Sequence, residues 1–184
     1  YTTGVTTVGT PGSAGAYTEI TVAASAPTLY YYCSVHSGMG GQANTPTTNS
    51  FSSFDGSIQS NVSPNTTAGF SIVSYTGNGT AGATVGHGLG TTPAMVIVKN
   101  RSEAFAWNCY HQSLGATKYI LLNATDASAT GTTWNNTAPT SSVFSIGSTS
   151  GVNKNTNNLI AYCFAEKKGY SKFGSYTGNG NADG

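Results

Sequence analysis

Short apolar runs separated by glycine, asparagine, serine and threonine recur along the whole chain, and no long window repeats them at helical spacing. Where the runs alternate, they alternate with the period of a strand. In Tyr17-Thr18-Glu19-Ile20-Thr21-Val22, the residues Tyr17, Glu19 and Thr21 fall on one face and Thr18, Ile20 and Val22 on the other. The pattern predicts strands over 2–8, 17–23 and 29–33, the first two joined by a Pro11-Gly12-Ser13-Ala14-Gly15 turn. From residue 68 the runs at 70–75, 94–99, 105–110, 119–122, 143–146 and 159–164 predict six or seven short strands, in a sandwich or a compact barrel. Between these regions, residues 42–67 are mostly Asn, Ser, Thr and Pro, with Phe51, Phe54, Ile58 and Val62 to bury, which reads as a linker or extended arm. The expected organisation is strands over 1–46, a connector over 47–67, a β-sandwich or jelly-roll-like module over 68–174, and the start of a further repeat over 175–184.

The last element rests on a duplication. Ser74-Tyr75-Thr76-Gly77-Asn78-Gly79 returns unchanged as Ser175-Tyr176-Thr177-Gly178-Asn179-Gly180, preceded by Gly69-Phe70-Ser71 and Gly169-Tyr170-Ser171. Each copy reads as a strand running into an Asn-Gly turn at the beginning of a module, so the chain looks cut from a longer modular protein.

Composition narrows the function classes. Charged residues are 7% of the 184, while the apolar fraction is 38% with 11 Tyr and 7 Phe, enough burial to offset ordering entropy. The chain should fold, with neutral polar groups over its surface. Its seven basic residues are scattered from Lys99 to Lys172 and form no stripe for a phosphate backbone, so nucleic acid is not expected as a partner. No apolar run approaches the roughly 20 residues that span a bilayer, so no membrane insertion is expected, and the N-terminus lacks the pattern of a signal.

Catalytic patterning is weak as well. The carboxylates Glu19, Asp55, Glu103, Asp126, Glu166 and Asp183 form no acid–nucleophile motif. Cys109 and His111 would share a strand face about 7 Å apart, too far for a nucleophile and its base. Gly77-Asn78-Gly79 lacks the Lys of a phosphate loop. The expectation is a protein that is not an enzyme. Cys109 and Cys163, flanked by aromatics, read as buried thiols. Trp107, Tyr110 and Trp134 are the candidates for surface binding, because such rings stack on sugar faces, and core packing is the competing reading for each.

One motif combines soft ligands. Tyr30-Tyr31-Tyr32-Cys33-Ser34-Val35-His36-Ser37-Gly38-Met39-Gly40-Gly41 is an aromatic strand ending in Cys-x2-His-x2-Met. It resembles the copper-binding C-terminal loop of cupredoxins, amicyanin-like in spacing, over roughly residues 1–46. The resemblance implies Cys33 as thiolate ligand, His36 as an imidazole ligand and Met39 as axial ligand to copper; apart from this copper, no cofactor is expected. The family's other His comes from an earlier strand, and none precedes His36. The alternative is Cys33 as a core thiol and Met39 as a packing residue.

A second resemblance is carried by residues 69–79, by Val85-Gly86-His87-Gly88-Leu89-Gly90, by Pro93-Ala94-Met95-Val96-Ile97-Val98-Lys99 and by Ala161-Tyr162-Cys163-Phe164-Ala165-Glu166. Over about 110 residues the chain is similar to a domain of unknown function recurrent in marine bacteriophage and metagenomic viral proteins. The fold implied by both resemblances is all-β, a cupredoxin-like β-sandwich fragment followed by a second β-sandwich or jelly-roll-like module. The function implied is a virion structural protein on the particle exterior, a tail fibre or a capsid- or tail-attached appendage. Its partners would be other virion proteins, copies of itself in a homotrimer, and host-surface glycans. An extracellular filament or cell-surface adhesin of an environmental prokaryote is the alternative, and a copper-binding electron carrier the second alternative.

Overall fold

The computed structural model describes residues 4–10, 12–22, 29–33, 36–43 and 50–182. The ends of two predicted strands (residues 2–3 and 23), the predicted turn residue Pro11, Ser34 and Val35 of the aromatic motif, connector residues 47–49, and Asp183 lie outside the described residues. The chain is almost all β and divides into two units, Tyr1–Asn49 and Ser50–Gly184.

The first unit contains two antiparallel hairpins. Strand β1 (Val5–Val8) pairs with β2 (Tyr17–Ile20), and β3 (Leu29–Tyr32) with β4 (Gly40–Ala43). Among the described residues each hairpin is a two-stranded sheet by itself, rather than part of the shared sandwich sheet expected of a cupredoxin-like fragment. With one or two aliphatic side chains per strand, neither has an apolar face broad enough to recruit another. Tyr17, Ile20, Tyr30, Tyr31 and Tyr32 are accordingly exposed, and Leu29 is buried.

The second unit is built on an eight-stranded antiparallel sheet. Its strands are β5 (Phe51–Ser53), β6 (Ser60–Asn65), β7 (Phe70–Thr76), β9 (Met95–Asn100), β10 (Asn108–His111), β11 (Lys118–Leu121), β12 (Ala129–Thr130) and β14 (Asn158–Phe164). Their order across the sheet is β12-β11-β10-β9-β14-β7-β6-β5. A two-stranded ribbon of β8 (Ala83–Gly86) and β13 (Val143–Ile146) completes the sandwich-like packing. One helical turn, α1 (Ser150–Asn153), precedes β14.

Register explains the core. Val62, Val73, Ala161 and Val98 lie directly opposite one another across β6, β7, β14 and β9, and all four are fully buried. The ribbon contributes Ala83, Val85, Phe144 and Ile146 to the same cluster, with Trp134 and Val152. Replacing the cluster's larger members, Ile146, Phe144 or Trp134, by alanine typically costs about 2–5 kcal/mol each.

Residues 50–67 are not a connector. Phe51 pairs with Val62, Ser53 with Ser60, and 60–65 with 70–75, so the polar segment supplies the last two strands of the sheet. Its buried hydroxyl is accommodated because Ser60 Oγ donates to Gly86 O at 2.9 Å. Pro64, which has no N–H to donate, falls beyond the reach of β5 and so occupies an edge position.

The first hexapeptide copy ends β7. Tyr75 is buried and its hydroxyl donates to Val152 O at 2.7 Å. At Gly77 a Cβ would overlap the Lys154 carbonyl, so glycine is required there. The fully buried Asn153 accepts from Asn78 N at 2.9 Å and Gly79 N at 3.3 Å, and donates to Thr80 O and Gly147 O, both at 2.9 Å. In the second copy no strand forms and Tyr176 is 95% exposed. The turn itself recurs: Asn78 accepts from Thr80 N and Asn179 from Asn181 N, both at 2.9 Å, and Gly79 and Gly180 have φ of 70° and 74°. The Asn-Gly turn is thus encoded locally, while the strand before it depends on neighbours.

Candidate functional site

In the first unit the β3–β4 loop brings two of the three proposed soft ligands into contact. Cys33 N donates to Met39 O at 2.7 Å, which closes the loop; His36 N donates to Cys33 Sγ at 3.3 Å, and the His36 Nδ1 lies 3.5 Å from the same sulfur. Met39 is 59% exposed. The loop and the Tyr30-Tyr31-Tyr32 strand line a bowl of about 550 Å³. Gly41 has no side chain, and this lets the Tyr31 ring lie across it.

The residues present do not fit a complete two-imidazole copper set. His36 is the sole histidine of residues 1–49. His87, in the second unit, is fully buried with both ring nitrogens engaged: Nε2 with Thr140 O at 3.2 Å, and Nδ1 accepting from Leu89 N at 3.2 Å. That pattern fixes a neutral ring, and burial holds its pKa below the usual imidazole value. His111 Nδ1 accepts from Ser113 N at 3.2 Å. Among the described residues no group of three or more His, Cys, Asp or Glu is placed to hold a metal ion.

Carboxylates of the second unit serve as fasteners. Glu103 meets Lys154 Nζ at 2.6 Å and accepts from Asn157 at 3.0 Å, and these contacts lower its pKa. Glu166 accepts from Phe173 N at 3.2 Å and Gln112 Nε2 at 2.9 Å, which lowers its pKa too. Cys109 and Cys163 are buried as expected; burial raises the Cys109 thiol to about 11 and pushes Cys163 up further.

Two of the three aromatic candidates are core residues. Trp134 and Tyr110 are 2% and 5% exposed and pack edge to face, with ring centroids 6.0 Å apart. Tyr110 faces inward from β10 and Trp134 from the loop that follows β12, so they cannot meet a ligand. Trp107 is different: it is half-buried and stacks on Tyr162 with centroids 6.3 Å apart.

Tyr162 belongs to a feature the strand pattern did not reveal. Ile72, Tyr162, Ile97, Cys109 and Ile120 are paired in register across β7, β14, β9, β10 and β11, forming one apolar row on the face opposite the core. Phe70, Phe164 and Met95 form a second row beside it. Except for Cys109, these side chains are half-buried or more exposed. The available signal was the lack of polar alternation in Met95-Val96-Ile97-Val98 and Leu159-Ile160-Ala161-Tyr162-Cys163-Phe164, which is the pattern of strands covered on both faces. At the sheet's other end a polar cleft of about 620 Å³ opens, lined by Ser60, Asn61, Ser74, Thr76, Arg101 and Asn158 among others.

A family described as Domain of unknown function (DUF7483) matches residues 42–184. No curated protein matches the chain, and no solved structure matches it.

Proposed function

The chain belongs to the DUF7483 family of domains of unknown function, and we propose that it is a structural component of a bacteriophage virion, a tail fibre or a capsid- or tail-attached appendage that assembles with copies of itself and touches the host surface. The observation that carries this reading is the apolar row Ile72-Tyr162-Ile97-Cys109-Ile120 on the outer face of the eight-stranded sheet. An apolar face of this width favours burial against another surface. The near absence of charge suits assembly around a three-fold axis, where equivalent groups of the copies converge and like charges would repel. The assembly proposed is a homotrimer, the order drawn from the resemblance to phage fibres. Among the described residues no helix is long and apolar enough to cross a membrane.

Antibody raised against the purified chain is expected to label particles from a producing host culture at the tail or capsid surface in electron microscopy. Label confined to cell surfaces or filaments, with none on purified particles, would favour the adhesin instead.

A further inference from the structure

Three of the chain's seven basic residues, Lys167, Lys168 and Lys172, are gathered on one loop after β14. Gly169, at φ 78°, turns this loop, and three hydrogen bonds close it: Lys167 N to Ser171 O at 3.1 Å, and Tyr170 N and Ser171 N to Lys167 O, both at 2.9 Å. It is anchored on the sheet because Gln112 Nε2 bridges Glu166 and Phe173 O, while the Lys167 stem packs over Gly69. The loop is therefore preformed.

Charge and aromatic surface meet there. Three lysines against the one Glu166 carboxylate leave two positive charges locally, in a chain whose net charge is +1. Among the described residues none of the three lysines forms an ion pair, whereas Lys154 is paired with Glu103 and Lys99 donates to Phe105 O. Beside the lysines runs an apolar groove of about 300 Å³, lined by Phe70, Phe164, Phe173 and Tyr170. Phe164 holds it together, with centroids 4.9 Å from Phe70 and 6.0 Å from Phe173. Tyr170 is 76% exposed, and it lines both this groove and the lysine cleft of about 590 Å³.

We propose that this loop and groove bind an anionic carbohydrate, a glycan bearing carboxylate or sulfate groups. Aromatic rings take the apolar faces of sugar rings, and lysines at the rim take the acidic substituents. A neutral glycan would leave the lysines idle, and a nucleic acid needs a longer basic track than one loop provides. The site deepens the reading of the chain as a surface-touching appendage, and it supplies the contact.

The test uses the full chain and an alginate hexasaccharide, a run of linked uronic acids, with maltohexaose, hexaglutamate and an oligothymidylate as comparators, followed by NMR titration. Alginate is expected to saturate the protein with shifts at Tyr170 and Phe173, weakening as salt rises, and each comparator to bind at least about tenfold more weakly. Replacing Lys168→Gln and Lys172→Gln together is expected to weaken alginate binding roughly three- to tenfold, the size of two exposed charge contacts. Tyr170→Ala is expected to weaken alginate and leave hexaglutamate unchanged. All three positions are exposed, so thermal unfolding should confirm intact folding. No saturation below about 10 mM alginate, equal binding by hexaglutamate or the oligothymidylate, or unchanged affinity in both variants would overturn the assignment. Loss of glycan binding with particles still labelled removes this site alone; unlabelled particles remove the virion reading and leave the site standing.

Discussion

Asn153 is the residue on which the first hexapeptide copy is fastened, and replacing it should be costly. In Asn153→Ala the buried Gly147 carbonyl loses its donor, at about 1–3 kcal/mol for an orphaned buried group. Asn78 N and Thr80 O also lose their partners, but both residues are exposed and water replaces part of each bond, so about 0.5–1 kcal/mol apiece is expected. Gly79 N keeps its bond to the Asn153 backbone oxygen at 3.0 Å and adds nothing. The sum is about 2–5 kcal/mol, a large share of the roughly 5–15 kcal/mol that holds a typical domain folded. Asn153→Asp keeps the volume but removes both donors and faces a carboxylate toward two carbonyl oxygens, so it should cost at least as much as alanine. Urea unfolding followed by the fluorescence of buried Trp134 measures both. The reference is Asn179→Ala in the exposed second copy, expected within about 0.5 kcal/mol of the parent. A loss below about 1 kcal/mol for Asn153→Ala, or equal losses at Asn153 and Asn179, would refute the fastening role.

Further outcomes follow from the same geometry. Tyr75→Phe should cost about 1–2 kcal/mol through the orphaned Val152 carbonyl, while Tyr176→Phe, in the identical sequence, should cost nothing measurable by the same unfolding assay. His87 has a depressed pKa in the fold, chiefly from burial, so the unfolded chain takes up a proton first, at about pH 6.5, and acid favours unfolding. Its contribution is complete above that pH and is lost as pH falls, so the melting temperature should drop between about pH 7 and 5. The slope should flatten in His87→Gln; an unchanged slope would contradict the assignment. Ellman's reagent at about pH 8 should modify half-buried Cys33 rapidly, and Cys109 and Cys163 only on unfolding, since burial keeps both as thiols. Rapid modification of two or three thiols in the native chain would show the buried pair to be accessible.

The sequence made the middle of the large sheet legible because β7, β9 and β14 carry long apolar runs, and β13 carries a short one, that have no competing reading. Strands β5 and β6 escaped because their inward positions are Ser53, Ser60 and Val62, and the hydroxyl partner of Ser60, Gly86 O, is 26 residues away in sequence. The ribbon strand β8 escaped because Ala83 and Val85 are too short a signal. Tyr110 and Trp134 have side chains equally suited to a core and to a sugar, and only their partners across the fold decide between the two. Reading the basic residues as scattered passed over the three lysines that stand within six positions, because the groove that gives them a setting takes Phe70 and Phe164 from paired strands 94 positions apart. The Cys33–His36 contact was legible from spacing because it is made within a single hairpin loop.

Self-association through the outer sheet face is tested most directly by sedimentation equilibrium of the intact chain beside Ile97→Glu, which places a charge at the centre of the apolar row. The wild type is expected to sediment at three times 18.7 kDa, and the variant at 18.7 kDa with unchanged circular dichroism. A wild-type chain that stays at 18.7 kDa at every loading concentration, or a variant that assembles as well as its parent, would contradict the proposed role of that face.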